Sequence, residues 1–225
     1  MSPRIAAFVP MRHNSQRVVG KNYRDFAGKP LYHRVINSLL ACSAITEVVI
    51  DTDSPTIMED AAAHFPQVTL LERPENLRAG TTPMNDVLLN SVRQTEADYY
   101  IQTHSTNPLL KPETVITAVQ RFLDNYPLFD SLFTVTRLQT RLWDPLARAI
   151  NHNPAILLRT QDLPPVYEEN SCLYIFTRDI LEQRHNRIGL RPIMHEMEAE
   201  EAVDIDEEID FTIAELLYKN REGIV

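Results

Sequence analysis

Between Arg12 and Asn22 the chain gathers side chains that grip phosphate. Arg12, Arg17 and Lys21 stand with Ser15, Asn22 and a turn glycine, Gly20, in Pro10-Met-Arg-His-Asn-Ser-Gln-Arg-Val-Val-Gly-Lys-Asn22. Guanidinium groups hold phosphate oxygens through paired hydrogen bonds, and lysine adds a compact charge. On a chain of formal net charge -9, this loop points to a polyanionic ligand, above all a nucleoside triphosphate. A solvated basic loop is the plain alternative. Near the other end, Val203-Asp-Ile-Asp-Glu-Glu-Ile-Asp210 places Asp204 and Asp206 on either side of an isoleucine. Residues two apart in an extended backbone project to the same side, so both carboxylates can face one hard cation. Magnesium suits such a site, since it takes few carboxylates and completes its shell with phosphate oxygens and waters. Asp206 also stands where a helix would start, which makes an N-cap the competing role.

Two more loops carry polar side chains. His104-Ser-Thr-Asn-Pro-Leu109 follows a strand and either contacts a ligand or shapes the turn before the next helix. Glu72-Arg-Pro-Glu-Asn-Leu-Arg-Ala-Gly-Thr-Thr82 lies after another strand and includes Arg73 and Thr81. Asp53, in Ile50-Asp-Thr-Asp53, caps the following helix or faces the site, and the cap is the preferred role.

The elements that must position these loops alternate regularly. Apolar, β-rich runs occur at 5–9, 47–50, 68–71, 99–101, 131–136, 172–176 and 193–197, with helical periodicity at 31–41, 56–63, 84–93, 113–125, 178–184 and 211–218. Pro55 and Pro112 fall in first turns, where a missing N–H costs nothing. Strands separated by helices of this length imply parallel neighbours joined by right-handed crossovers. The pattern predicts one α/β domain over residues 1–225, a three-layer α/β/α sandwich with a mostly parallel sheet and ligands at the strands' carboxyl ends. Residues 137–169 break the rhythm with several prolines and the single tryptophan, Trp143. Their apolar side chains (Trp143, Ile156, Leu157, Leu158, Leu163) need cover, from a second subunit or from the chain's own domain.

Composition narrows the classes. An acidic chain without a long Lys/Arg run speaks against nucleic acid. No stretch approaches the roughly 20 apolar residues of a membrane span, and the start lacks a secretory pattern. Cys42 and Cys172 are far apart and form no metal motif, so reduced, buried thiols in a cytoplasmic protein are expected. Five glycines form neither GxGxxG nor GxxxxGK[ST], which speaks against Rossmann-type and P-loop binding. A triphosphate must then be held by side chains and by the first loop's backbone.

Taken together, these segments resemble the cytidylyltransferases that activate acidic keto-sugars, the CMP-acylneuraminate and CMP-KDO synthetases, in order and over roughly residues 4–218. Arg12-x-x-Ser15-x-Arg17-x-x-Gly20-Lys21-Asn22 is similar to that family's signature loop, Phe26-Ala-Gly-Lys-Pro-Leu31 to its first-helix turn, and Val49-Ile-Asp-Thr-Asp53 to its STD element. Arg73-Pro-x-x-Leu77 with Thr81 resembles the segment along the cytosine, and Thr106-Asn-Pro-Leu109 its TSPL turn. Asn170-Ser-Cys-Leu-Tyr174 stands where the family has NGAIY, and Asp204-Ile-Asp206 where it has a magnesium-binding DID.

The resemblance implies a nucleotide-diphospho-sugar transferase-like fold and transfer of CMP from CTP to an acidic keto-sugar, with Mg²⁺ and in a homodimer whose contacts include the 137–169 arm. Arg12, Ser15, Arg17, Lys21, Asn22, Arg73 and Thr81 would bind nucleotide, with Arg12, Lys21 and Asp206 the catalytic set. Asp204 and Asp206 would bind metal, and His104, Thr106, Asn170 and Tyr174 would contact the sugar. His104 is read as a hydrogen-bonding residue or a base. The chain departs from the pattern at Gln16 and Val19 in the first loop, and at His104, Gly80 and Thr160 (beside Arg159), where sialate enzymes have glutamine, aspartate and arginine; Glu168-Glu169 precede Asn170. Two other readings stay open: a metal-dependent glycosyltransferase, and a non-catalytic nucleotide-binding relative.

Overall fold

The computed structural model describes residues 2–15 and 17–224; the departure at Gln16 lies outside them. In chain order the elements are β1 (Ile5–Met11), β2 (Asp25–Phe26), β3 (Lys29–Pro30), α1 (Tyr32–Leu40), β4 (Glu47–Thr52), α2 (Pro55–His64), β5 (Thr69–Glu72), α3 (Met84–Gln94), β6 (Tyr99–Thr103), α4 (Pro112–Asn125), β7 (Ser131–Leu138), β8 (Val166–Phe176), α5 (Arg178–Arg184), β9 (Pro192–Met197) and α6 (Glu208–Arg221). Each run expected from periodicity is present, with ends shifted by a few residues. Among the described residues no helix is long and apolar enough to cross a membrane.

Seven strands form one sheet in the order β5-β4-β1-β6-β8-β7-β9, and β2 and β3 make a separate small hairpin. β1 is buried along its whole length, and its residues alternate between two cores as a strand's period of two requires. Ile5, Ala7, Val9 and Met11 join a core with Tyr32, Val35 and Ile36 of α1, Ile57 of α2 and Val115 of α4. Ala6 and Phe8 face the other way, toward Leu88 and Val92 of α3 and Leu181 of α5. Helices therefore cover both faces, which makes the three expected layers. Burying large aliphatic and aromatic side chains contributes about 1.5–3 kcal/mol each before conformational entropy is counted, so the sheet is a stiff platform for the loops at its edge.

The sheet is parallel from β5 to β6, and β8 then runs antiparallel to both β6 and β7. The cause lies in the connection: β7 and β8 are joined by residues 139–165, with one 3-10 turn (Thr160–Asp162) and no α-helix, so the chain returns along its neighbour; the expected 137–169 arm is shorter, since its two ends pair as strand. The pairing of β7 with β8 shifts register between Phe133 and Val135. Opposite that irregularity Ser171 sits at φ 59, the left-handed region in which glycine is favoured. Thr134 Oγ1 donates to Asn170 Oδ1 at 2.7 Å, and Asn170 Nδ2 donates to Thr136 Oγ1 at 3.0 Å, pinning the bulge. In the arm Leu163 is buried, whereas Trp143 is 50% exposed and Leu157 92% exposed.

Candidate active site

The loops after β1, β5 and β6 and the connection from β9 to α6 converge on a cleft of about 740 Å³ at the carboxyl ends of the parallel strands. Arg12, Arg17, Lys21, Arg73 and Arg78 line it, against three carboxylates, Asp53, Asp204 and Asp206. An acidic chain thus concentrates positive charge in one concavity, as a polyphosphate site requires.

The first loop is shaped by Gly20, whose φ of 64 begins the short 3-10 turn Lys21–Tyr23. A β-carbon there would meet the Tyr23 ring at 2.8 Å, so both the backbone angle and the space call for glycine. Asn22 is buried; it donates to the Arg12 carbonyl at 2.9 Å and accepts from Ser105 Oγ at 2.8 Å. The loop is therefore tied to the β6 end and aims Arg12 and Arg17 into the cleft.

Asp204 and Asp206 approach from the opposite wall. The chain between β9 and α6 is without helix or strand, and Ile205 turns inward to pack with Phe26, Leu31 and Phe211. The Ile205 amide donates to the Thr106 carbonyl at 2.9 Å. With Ile205 anchored, its two neighbours face the cleft, the geometry expected from their spacing. Arg17 Nη2 meets Asp206 Oδ1 at 2.5 Å, and Lys21 Nζ donates to the Ile205 carbonyl. Lys21 is buried, and that burial pulls its pKa down, opposed by Asp204 and Asp206. Asp204 shows the reverse. Its side chain opens to the cleft, yet the surrounding protein desolvates it and raises its pKa, with the charge of Asp206 adding to the rise and a hydrogen bond from Thr106 opposing it. Two carboxylates held together in this way are stabilised by a cation, and they present the oxygen donors that magnesium takes. The donor set fits the ion.

Arg73 has a mixed role. It lines the cleft but is 2% exposed, with Nε 2.6 Å from Asp51 Oδ1 and Nη2 donating to the Asp51 carbonyl. Asp51 is fully buried and also accepts from Ser91 Oγ. This ion pair fixes the ends of β4 and β5. Arg78, one turn on, donates from Nε to the Arg73 carbonyl at 2.8 Å and also faces the cleft.

His104 lines the cleft floor. Desolvation lowers its pKa to about 4, with Arg187 and Lys21 adding repulsion. At neutral pH it is an uncharged hydrogen-bonding group, poorly suited to receiving a proton. Ser15, Thr81 and Thr106 also line the cleft. Asn170 and Tyr174 do not. Asn170 is engaged at the β7–β8 bulge, and Tyr174 is fully buried with its hydroxyl donating to Glu169. The Arg187 guanidinium stacks over the Tyr174 ring at 3.8 Å.

The capping role expected of Asp53 is corrected, and the competing capping role of Asp206 falls to its neighbour. Ser54, not Asp53, caps α2, its Oγ accepting from the Ile57 amide; Asp53 instead accepts from the His13 amide at 2.7 Å and faces the cleft. The cap of α6 is Glu207, whose amide donates to Asp210, so Asp206 lines the cleft and pairs there with Arg17. Asn14, Arg78, Met84 and Ser105 were not singled out by the sequence as cleft residues. Asn14, Arg78 and Ser105 were findable, as polar residues within loops already marked. The place of Met84, at the start of α3, depends on helix placement.

Comparison with known proteins identifies the family. Residues 6–222 match the family model described as cytidylyltransferase. The chain is 30% identical to the CMP-N,N'-diacetyllegionaminic acid synthase of Legionella pneumophila, covering 99% of this chain and 100% of that protein. It is 28% identical to N-acylneuraminate cytidylyltransferase A of Danio rerio over 95% of its own length, and spans 50% of that longer protein. In fold it is similar to a solved CMP:2-keto-3-deoxy-manno-octonic acid synthetase complexed with CTP, with a TM-score of 0.75 and 17% identity, covering 97% of this chain and 99% of that one.

Proposed function

This chain belongs to the cytidylyltransferase family, and on that premise we propose that it transfers CMP from CTP to the anomeric hydroxyl of an acidic 2-keto-3-deoxy sugar. The new bond joins the anomeric oxygen to the α-phosphorus, the bond from that phosphorus to the β-phosphate bridge breaks, pyrophosphate leaves, and the hydroxyl proton passes to solvent. The observation that carries this reading is the meeting of Arg12, Arg17 and Lys21 with Asp204 and Asp206 across one cleft.

Arg12, Ser15, Arg17 and Lys21 hold the phosphates, and Asn22, which lines the cleft and ties the loop to Ser105, contacts the ribose. Arg73, Arg78 and Thr81 form the wall for the nucleoside. Asp204 and Asp206 hold Mg²⁺, which when bound neutralises phosphate charge and can lower the nucleophile's pKa. Fixed cations and an aligned hydroxyl supply what such a displacement needs, without a covalent intermediate on the protein. His104 orients the sugar by a hydrogen bond. The sugar is of the sialic, legionaminic, pseudaminic or KDO class, in keeping with the relatives' names.

The enzyme works as a homodimer, with the exposed apolar residues of the arm, Trp143, Ile156 and Leu157, covered by a second copy. Both cysteines are free and buried, which suits the reducing cytoplasm. The test is pyrophosphate release with CTP, Mg²⁺ and a panel of those four sugar acids. Release with at least one of them supports the proposal. Release of a free nucleoside diphosphate from an added nucleotide-sugar donor, with no pyrophosphate from CTP, would favour a glycosyltransferase, and CTP binding without turnover on any sugar a non-catalytic relative.

A further inference from the structure

We propose that His33, Asp60 and His64 form a binding site for one divalent first-row transition ion, separate from the cleft and independent of the activity proposed above. His33 lies on α1; Asp60 and His64 lie one turn apart on α2, on the same face. One ligand atom from each lies within 4.8 Å of the other two. His33 Nε2 is 2.6 Å from Asp60 Oδ2, and His64 Nδ1 is 3.1 Å from Asp60 Oδ1. Zinc bonds of about 2.0–2.1 Å set neighbouring ligand atoms roughly 3.3 Å apart in a tetrahedron, so the cluster needs only small side-chain movements to close on an ion.

Three features favour an ion over a purely hydrogen-bonded trio. Among the described residues, no lysine or arginine pairs with Asp60; its salt-bridge neighbours are the two imidazoles. The carboxylate is three-quarters buried, with a side-chain exposure of 23%. Next, the His33 ring is fixed between aromatic walls, 4.6 Å from Tyr32 and 4.7 Å from Phe65, and lies 5.3 Å from the His64 ring. Finally, the Tyr32 hydroxyl donates to Asp60, the outer hydrogen bond that orients a ligating carboxylate. Two imidazoles and one carboxylate select zinc, cobalt or nickel rather than magnesium. His64 is 59% exposed, leaving a fourth position open to water. The ion would brace α1 against α2.

Equilibrium dialysis of EDTA-stripped full-length protein against Zn²⁺ tests this, with the visible spectrum of bound Co²⁺ as a second readout. One equivalent is expected, unchanged in the Asp204→Ala, Asp206→Ala double variant. His64→Ala, at an exposed position that leaves the fold intact, should weaken binding by more than about 100-fold, and Tyr32→Phe by about 10–100-fold, the cost of an outer-shell partner. His64→Ala should leave turnover unchanged. Absence of a stoichiometric site overturns the proposal, as does an equivalent that survives His64→Ala or disappears with the two aspartates.

Discussion

Arg17 and Asp206 are 189 positions apart in the chain, and their side chains meet at 2.5 Å across the mouth of the cleft. Both groups are about half exposed, so the contact contributes no more than about 1 kcal/mol. A contact this weak yields readily to ligands of higher charge, a triphosphate for Arg17 and a metal for Asp206.

Asp204→Ala and Asp206→Ala should each lower pyrophosphate release by at least about 100-fold, because transition-state charge is left uncompensated. Circular dichroism and melting temperature should change little, since both side chains face the cleft. Mg²⁺-dependent turnover retained in both variants would reject the assignment of these carboxylates as metal ligands.

His104 makes a pH prediction. Its folded-state pKa of about 4 lies below the ordinary histidine value, so the unfolded chain binds the proton more readily. Its contribution to stability is complete above about pH 6.5 and is lost as pH falls toward 4, by at most about 1.4 kcal/mol per pH unit. Chemical denaturation between pH 4 and pH 7 should show this slope, flatter in His104→Gln. The same variant should keep turnover within about tenfold and change sugar preference. A collapse in rate, restored by raising the pH, would instead identify His104 as the base.

Asp51→Ala should destabilise the fold by about 3–5 kcal/mol, because it strands a buried guanidinium. Urea denaturation measures it. A loss under 1 kcal/mol would mean that Arg73 turns into the cleft and that the ion pair is not structural.

Ser171→Gly should stabilise the protein by up to about 1 kcal/mol. It relieves a left-handed backbone angle at the β7–β8 bulge and gives up only a 3.2 Å contact with the Tyr174 hydroxyl. A fall in melting temperature would show that the serine side chain matters more than its backbone angle.

Leu157→Glu should convert a dimer to a monomer without altering the fold, because Leu157 is almost fully exposed on the arm. Light scattering reads the mass. A wild-type monomer at micromolar concentration would remove the dimer proposal.

The layer order and the cleft's two walls were legible because they rest on local rules. Alternation along β1 sorts its residues between two cores, and the spacing of Asp204, Ile205 and Asp206 puts the isoleucine inward and both carboxylates outward. The caps were not legible. Ser54 and Asp53, like Glu207 and Asp206, are neighbouring residues that can each accept from a helix amide, and tertiary contacts such as the one from His13 to Asp53 decide between them. The positions of Asn170 and Tyr174 depend on a register shift between strands, a non-local feature absent from either strand's own pattern. The His33–Asp60–His64 cluster joins two helices whose relative placement no spacing rule reveals.

The central claim is that the cationic loop and the Asp204–Asp206 pair act on one nucleotide through one metal site. Crystals grown with CTP and Mn²⁺, with Mn²⁺ replacing Mg²⁺, test it through the metal's anomalous scattering. The account predicts a peak within direct bonding distance of Asp204 or Asp206 and of a CTP phosphate, with Arg12 or Lys21 on that same triphosphate. A triphosphate bound away from Arg12, Arg17 and Lys21, or a metal peak remote from both aspartates, would contradict it.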